Sequence, residues 1–439
     1  MKFYDRKNEI AELERLFEQS EQSAKMTVLT GRRRVGKTIL SLEFTKNKKV
    51  LYLFVSKKSE TLLCLEYVDE IKKVFDYPII GNLTSFKDIF ALLIEISKRE
   101  RFTLIIDEFQ EFYSINASVF SDVQKMWDLN KNNSKMNLIV VGSIYSLMYE
   151  IFENSKEPLF GRADRIMFLK PFEISTMNEI LKDNDILDNS TLFDFFLLTG
   201  GMPKYIDILI TNGVKDFDSI LDFVMQPNSP FLHEGKHLLI EEFGKEYAIY
   251  FSILELISVG KTSRSEIESI LEKNVGGYLD RLEKNYAVIS KYKPFNAKPA
   301  SRQQKYMIVD NFLKFWFRFI YKNRSAVETS NFQYLKEICK RDYTTYSGRI
   351  LESFYHALFA ESGKYNRIGS YWETGNKNEI DLVSVNDMKK EIVIAEIKHN
   401  KEKIRIEALK NKAKKLLIDF PNYKVSYLGL GIEDVKDYL

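Results

Sequence analysis

Cysteine is nearly missing from this chain: 439 residues contain two, Cys64 and Cys339, far apart and outside any CxxC pair. That scarcity excludes a disulfide framework and a cysteine-based zinc site and fits a reducing cytoplasm; neither zinc nor haem is expected. Long apolar runs are missing too. The richest stretches, 249–259 and 312–321, fall short of the roughly 20 residues that span a bilayer, so no membrane segment is expected. The charged opening, Met1 to Leu16, does not read as a secretory leader. Nor does one sign of charge dominate. Lys and Arg number 65 against 62 Asp and Glu, a formal net charge of +3, so any nucleic-acid surface must be local. Repeats and low-complexity tracts are absent. What is abundant is packing material, with 45% hydrophobic residues, 32 Phe and 24 Tyr, which predicts an ordered chain of two or three domains.

The first third alternates apolar runs of strand length, at 28–31, 50–55, 102–107 and 137–143, with helical patterns, as a parallel sheet covered by helices does. Residues 172–240 read as helical, interrupted by GGMP at 200–203. From Tyr247 the pattern becomes three short helices and a small hairpin ending in KYMIVD at 305–310, which describes a winged helix-turn-helix. Phe312, Phe315, Trp316 and Phe319 recur at helical spacing and read as core. A last unit combines a helix, strand-like runs at 380–385 and 391–397, and a lysine-rich helix.

Residues 31–38, GRRRVGKT, form a G-x-x-x-x-G-K-T loop between a strand and an apolar helix. Glycine permits the backbone angles with which N–H groups wrap phosphate oxygens, so Gly31, Arg32, Arg33, Arg34, Val35, Gly36, Lys37, Thr38 and Ile39 are the candidate ATP-binding residues. Lys37 is expected on the β and γ phosphates and Thr38 on Mg2+. Asp107 ends the apolar run TLIID and is expected to hold the metal through water; Glu108 is the candidate to orient or deprotonate the attacking water. A capping acid after a buried strand is the alternative for this pair. Ser143, closing NLIVVGS, could sense the γ phosphate. No NKxD guanine-reading element occurs, which favours ATP over GTP.

Phe3-Tyr4-x-Arg6, GRRRVGKT, IIDEFQEF, VVGSIYSLM, Gly161-Arg162 and GGMPKY together resemble the archaeal ATPase family of AAA-related, STAND-class P-loop proteins, over essentially the whole chain. The resemblance implies Arg162 and Arg165 as γ-phosphate-reading or subunit-bridging arginines, within one chain or across a homo-oligomer, and places Pro203 near the nucleotide in a helical lid. A surface salt bridge is the alternative for each arginine.

In the winged helix, the helix starting near Val275 is the expected DNA reader, with Tyr278, Arg281 and Lys284 on one face and Lys261, Arg264 and Lys291 adding phosphate contacts; a linker domain is the alternative. Glu396-x-Lys398 places a carboxylate and an ammonium on the same face of a strand. With Asp381 one strand earlier and Glu352 in a preceding helix, the four resemble the PD-(D/E)xK nuclease fold, joined by Trp372. That resemblance implies Asp381 and Glu396 as Mg2+ ligands and Lys398 as the group acting on phosphate or water. Residues 398–415 hold eight Lys or Arg against two Glu, a phosphate-binding or merely solvated face.

The expected fold class is therefore α/β: a P-loop parallel-sheet ATPase (1–170) with a helical lid (171–240), a winged helix-turn-helix with the aromatic helix (241–325), and a small α/β restriction-endonuclease-like C-terminal domain (326–439). The expected function is ATP hydrolysis coupled to metal-dependent action on DNA, with defence against foreign DNA as one setting. The other reading is a STAND-type switch that binds DNA or protein without cutting.

Overall fold

The computed structural model describes residues 2–79, 81–298, 301, 303–375 and 377–439. They form two compact units, Asp5–Lys170 and Pro171–Leu439, the second joined by the chain's first residues through Tyr4.

The smaller unit is built on strands β1 (Lys25–Thr30), β2 (Val50–Phe54), β3 (Phe102–Asp107), β4 (Met136–Val141) and β5 (Arg165–Phe168). Their order is β2-β3-β4-β1-β5, every neighbour parallel. Strands β3 and β4 are buried along their whole length, which is why they read as unbroken apolar runs. Helices Phe86–Arg99 and Ser118–Asn130 cover them with Phe86, Phe90, Leu93 and Trp127, all buried, each such side chain contributing about 1.5–3 kcal/mol. The Ser85 hydroxyl caps the first of these helices by accepting from Asp88 N. The four expected strands are all present. The fifth, β5, is short and largely exposed and gave no comparable apolar signal.

In the larger unit, 171–240 is helical, as expected. The helix Asn189–Thr199 ends on Gly200 in the left-handed region and the next, Pro203–Thr211, opens on its proline. Between them Gly201 lets the chain pass Phe172, whose carbonyl oxygen would lie 2.2 Å from an added Cβ. Helices Tyr247–Ser258, Arg264–Leu271 and Gly276–Lys284 with the antiparallel hairpin β6 (Ile289–Tyr292) and β7 (Lys305–Ile308) make the winged-helix arrangement. The aromatic segment runs as α-helix over Asn311–Phe315 and widens to π-helix over Trp316–Tyr321, and Phe312, Phe315, Trp316 and Phe319 are core. A 30-residue helix, Phe332–Glu361, leads into β8 (Arg367–Glu373), β9 (Lys377–Asn386), β10 (Glu391–Ile397) and β11 (Lys424–Leu430), ordered β11-β10-β9-β8. Only β10–β11 is parallel, and helix Ile406–Ala413 supplies that connection.

The expected boundaries at 240 and 325 do not separate bodies here. Phe295, in the loop after β6, donates its N–H to Ser370 O at 2.7 Å and is buried in the last sheet's core with Tyr371 and Phe420. The long helix is shared in the same way: Tyr343 donates to Asp194 of the helical segment at 3.2 Å, while Ser347 and His399, just past β10, share a 2.8 Å hydrogen bond.

Candidate functional site

The GRRRVGKT loop leaves the carboxyl end of β1, and Asp107 and Ser143 lie at the carboxyl ends of β3 and β4, so the sheet itself gathers the three segments. Gly31 has φ 142°, and a Cβ there would stand 2.6 Å from the carbonyl oxygen of Leu169. Arg34 and Gly36 are both left-handed, at φ 75° and 92°, which winds the loop into a concave turn before helix Lys37–Phe44 begins. Lys37 is buried and donates to Gly31 O (2.8 Å) and Arg32 O (3.0 Å), so its ammonium is held across the loop's mouth. Val35 is buried under the loop, and Arg6 pins it from behind, donating to Lys170 O at 2.6 Å and Val35 O at 3.4 Å. Ile39 is 61% exposed, so this candidate turns its side chain to the surface.

Thr38 donates its hydroxyl to Asp107 Oδ2 at 2.8 Å, and the Tyr52 phenol donates to the same oxygen at 2.7 Å. Burial and the neighbouring carboxylate push that phenol's pKa well up, so it stays a donor. Thr38 and Asp107 thus bring hard oxygen atoms together, as a small divalent cation requires. Magnesium there would neutralise phosphate charge. Glu108 has φ 55°, ψ 39°, a left-handed backbone that costs a non-glycine residue about 1–3 kcal/mol. Its carboxylate accepts from Ser143 Oγ at 2.9 and 2.7 Å and from Gln110 Nε2, while Arg33 Nε reaches Ser143 Oγ at 3.4 Å. The acid is held by a clamp rather than left to rotate. Tyr52, Gln110 and Arg6 belong to this site although sequence reading assigned none of them a role in it. Tyr52 sits mid-strand in the unbroken apolar run VLYLFV, which gives no sequence signal for its hydroxyl.

Arg162 and Arg165 lie at the other end of the sheet. Arg165 pairs with Thr27 of β1, and Asp164 N donates to Met26 O, so Arg165 stands three residues, about 10 Å, before the end of β1 from which the loop leaves. Arg162 bonds Asp128 at 3.2 Å and Phe160 O at 2.8 Å; Arg165 bonds Glu12 at 3.3 Å. Both are thus engaged in surface ion pairs in this chain.

Residues 3–209 match the family described as an ATPase domain predominantly from Archaea, and 316–416 match one described as archaeal and bacterial proteins of unknown function. Over 394 residues the chain is 28% identical to the uncharacterized protein MJECL04 of Methanocaldococcus jannaschii, covering 87% of this chain and 84% of that one. Among solved structures, the Walker-type ATPase PABY2304 of Pyrococcus abyssi is similar with a TM-score of 0.56 at 20% identity, over 72% of this chain and 96% of that one. The ORC2 protein of Aeropyrum pernix, in ADPNP–ADP complexes, aligns with a TM-score of 0.51 at 13% identity, over 75% and 96%. These two likenesses concern fold alone, the parallel-sheet architecture of Asp5–Lys170.

The second group of candidates lies outside the matched residues 3–209. Ala395 of β10 pairs with Leu382 of β9, so the next pair in register sets Glu396 opposite Asp381, and Lys398 shares their face. Asp381 is buried and accepts from Ile397 N at 2.8 Å, while its backbone carbonyl accepts from His356 Nε2 at 2.7 Å. Lys398 Nζ stands 3.6 Å from Glu396, and Lys412, from helix Ile406–Ala413, approaches the other oxygen at 3.5 Å. Glu352, on the long helix, is close enough that burial, reinforced by Asp381, pushes its carboxyl up to about 8; burial also raises that of Asp381, opposed by Ile397 N–H and Lys398. Glu352 and Glu396 thus each act on Asp381 and Lys398, although among the described residues no three His, Cys, Asp or Glu side chains are disposed to hold a metal ion.

The DNA-reading candidates are less free than their spacing implied. Arg281 pairs with Glu246 and stacks on Tyr278, Lys291 pairs with Asp280 and Glu283, and Arg264 pairs with Glu268; Lys284 and Lys261 are exposed. In 398–415, Lys401, Lys410, Lys412 and Lys415 each have a carboxylate partner. A further motif lies in the helical segment: His233-Glu234-Gly235-Lys236-His237 spells H-E-x-x-H on helix Phe231–Phe243. The two imidazoles are exposed, 6.3 Å between ring centres, but Glu234 is buried against Tyr205 OH at 3.2 Å, so the general base of a metalloprotease is turned away. Among the described residues no helix is long and apolar enough to cross a membrane.

Proposed function

We propose that this protein hydrolyses ATP to control a metal-dependent, nuclease-like site acting on DNA. Lys37 and the loop amides hold the phosphates, Thr38 and Asp107 serve Mg2+, and Glu108, held by Ser143 and Gln110, orients the attacking water. In the last domain Asp381 and Glu396 would hold a second Mg2+, which supplies positive charge to a phosphodiester oxygen, and Lys398 steadies the phosphate or positions water. The observation carrying this reading is that Asp381, accepting from Ile397 N at 2.8 Å, lies beside the end of β10 where Lys398 Nζ stands 3.6 Å from Glu396. Arg162, remote from its own loop, would act on a nucleotide only in a neighbouring copy. The test is incubation of purified protein with supercoiled plasmid, Mg2+ or Mn2+, with and without ATP. Metal-dependent nicking supports the reading, and intact plasmid under every condition rejects the nuclease half of it.

A second reading is a regulatory ATPase switch that recruits DNA or protein without cutting. It is favoured by Lys398 and Lys412 both leaning on Glu396 and by the ion-paired cations of the winged helix. Nucleotide-dependent partner binding by a chain that never cuts would establish it.

A further inference from the structure

The hairpin β6–β7 does not stand free as a wing. Tyr292 packs edge-on against Trp372 of β8 with ring centres 5.5 Å apart, Lys305 lies 4.5 Å over the same indole and 3.6 Å from Glu379, and Gln303 Nε2 donates to Thr374 Oγ1 at 2.6 Å. The winged helix thus forms a wall beside the acidic residues, and both Arg349 and Glu352 act electrostatically on the Tyr292 phenol.

Arg349 is the cation on that wall with no hydrogen bond or ion pair from its guanidinium among the described residues. It is exposed, one turn before Glu352 on the long helix and so on the same side. Its guanidinium lies over Gly260, where an added Cβ would come within 2.9 Å of Nη1. The neighbouring cations are spoken for: Lys398 and Lys412 by Glu396, Lys305 by Glu379. A planar fork of donors beside a carboxylate cluster, without a carboxylate of its own, matches the tetrahedral oxygens of a phosphodiester better than a point charge does.

We propose that Arg349 is a phosphate-contacting residue of the acidic site, gripping a DNA backbone phosphate between the long helix and the winged-helix wall. This rests on the nuclease-like reading of that site. It assigns the winged helix a second use, as the surface that holds Arg349 against Gly260.

The test uses the full chain and a fluorescein-labelled DNA duplex in calcium buffer, with anisotropy read across a salt series, and plasmid nicking in Mg2+ measured in parallel. Arg349→Ala should weaken binding about tenfold and lower the salt slope by about one, with Arg349→Lys recovering part of the affinity. Arg341→Ala, on the same helix but paired with Asp342, should bind as wild type does, and ATP hydrolysis by all variants should be unchanged. Wild-type affinity in a folded Arg349→Ala protein overturns the proposal, and if that variant also nicks normally the nuclease reading survives alone. Weakened binding with no nicking by wild type means the reading fails and the phosphate contact stands. Wild-type protein that neither binds nor cuts overturns both.

Discussion

Thr38 and Tyr52 converge on one oxygen of Asp107, at 2.8 and 2.7 Å, so a single carboxylate oxygen joins the phosphate-loop helix to the edge strand β2. Two donors hold Asp107 in one rotamer at the point where the metal and γ phosphate are expected. Removing the Tyr52 hydroxyl leaves Thr38 and the loop in place. Tyr52→Phe should therefore lower hydrolysis several-fold while leaving ATP affinity within about twofold, a positioning effect. Steady-state kinetics and nucleotide titration separate the two, and an unchanged turnover would show that Asp107 needs no second donor.

Lys37→Ala should weaken ATP binding about ten- to a hundredfold, the worth of a charge-assisted hydrogen bond, with the fold retained. Within the protein the ammonium donates to the Gly31 and Arg32 carbonyls at the loop's mouth, where water can take its place. A folded variant that binds ATP as wild type does would remove the loop from the nucleotide site.

Glu108→Gln should bind ATP normally and hydrolyse it about a hundredfold or more slowly, because the amide keeps size and bonding but cannot act as a base. Ser143→Ala is the companion. It removes the donor to both Glu108 oxygens, so a turnover drop without an affinity change is expected from it too. Hydrolysis at the wild-type rate in Glu108→Gln would strike Glu108 from the catalytic set.

The phosphate loop was legible because its chemistry is written in eight consecutive residues flanked by a strand and a helix. The acidic site was legible in part, since Glu396 and Lys398 are two apart at a strand end and Asp381 opens the apolar run LVSV one strand earlier. What was hidden depends on contacts between distant segments. Tyr52 reaches Asp107 only because β2 pairs with β3, and the hairpin's seat on β8 depends on Phe295 filling a core some 75 residues away in sequence. Arg162's surface partner, Asp128, was hidden for the same reason, since it lies on a distant helix.

Asp194 shapes the pH dependence of stability. Burial pushes its carboxyl up to about 7, opposed by the Tyr343 hydroxyl and the Phe217 N–H. An acid whose folded pKa is raised keeps its proton longer in the folded state, so its contribution is most favourable near pH 4 and is lost as pH rises toward 7. Asp194→Asn holds the neutral shape at every pH. Its stability relative to wild type should therefore rise by about 1.4 kcal/mol per pH unit between pH 4 and 7, and level off above. Urea melts at several pH values measure this, and a pH-independent difference would mean that Asp194 is charged throughout.

Cleavage and ATP hydrolysis should be separable by mutation, because their groups belong to different compact units, Asp5–Lys170 for the nucleotide and Pro171–Leu439 for the acidic site. Lys398→Ala removes a half-exposed ammonium and should stop plasmid nicking, by about a hundredfold or more, while ATP turnover stays within about twofold. Asp381 needs more care. Its Oδ2 accepts from Ile397 N, so Asp381→Ala strands a buried N–H at a cost of about 1–3 kcal/mol, and lost cleavage could then reflect a disturbed β10. Asp381→Asn keeps an acceptor for that N–H but halves the negative charge that Asp381 and Glu396 offer a metal, so it should bind DNA and fold normally yet fail to nick. Nicking that survives in both Asp381→Asn and Lys398→Ala would point to a contaminating nuclease. Nicking and ATP turnover that fall together in both variants would mean that the two sites are coupled too tightly for this assignment of roles.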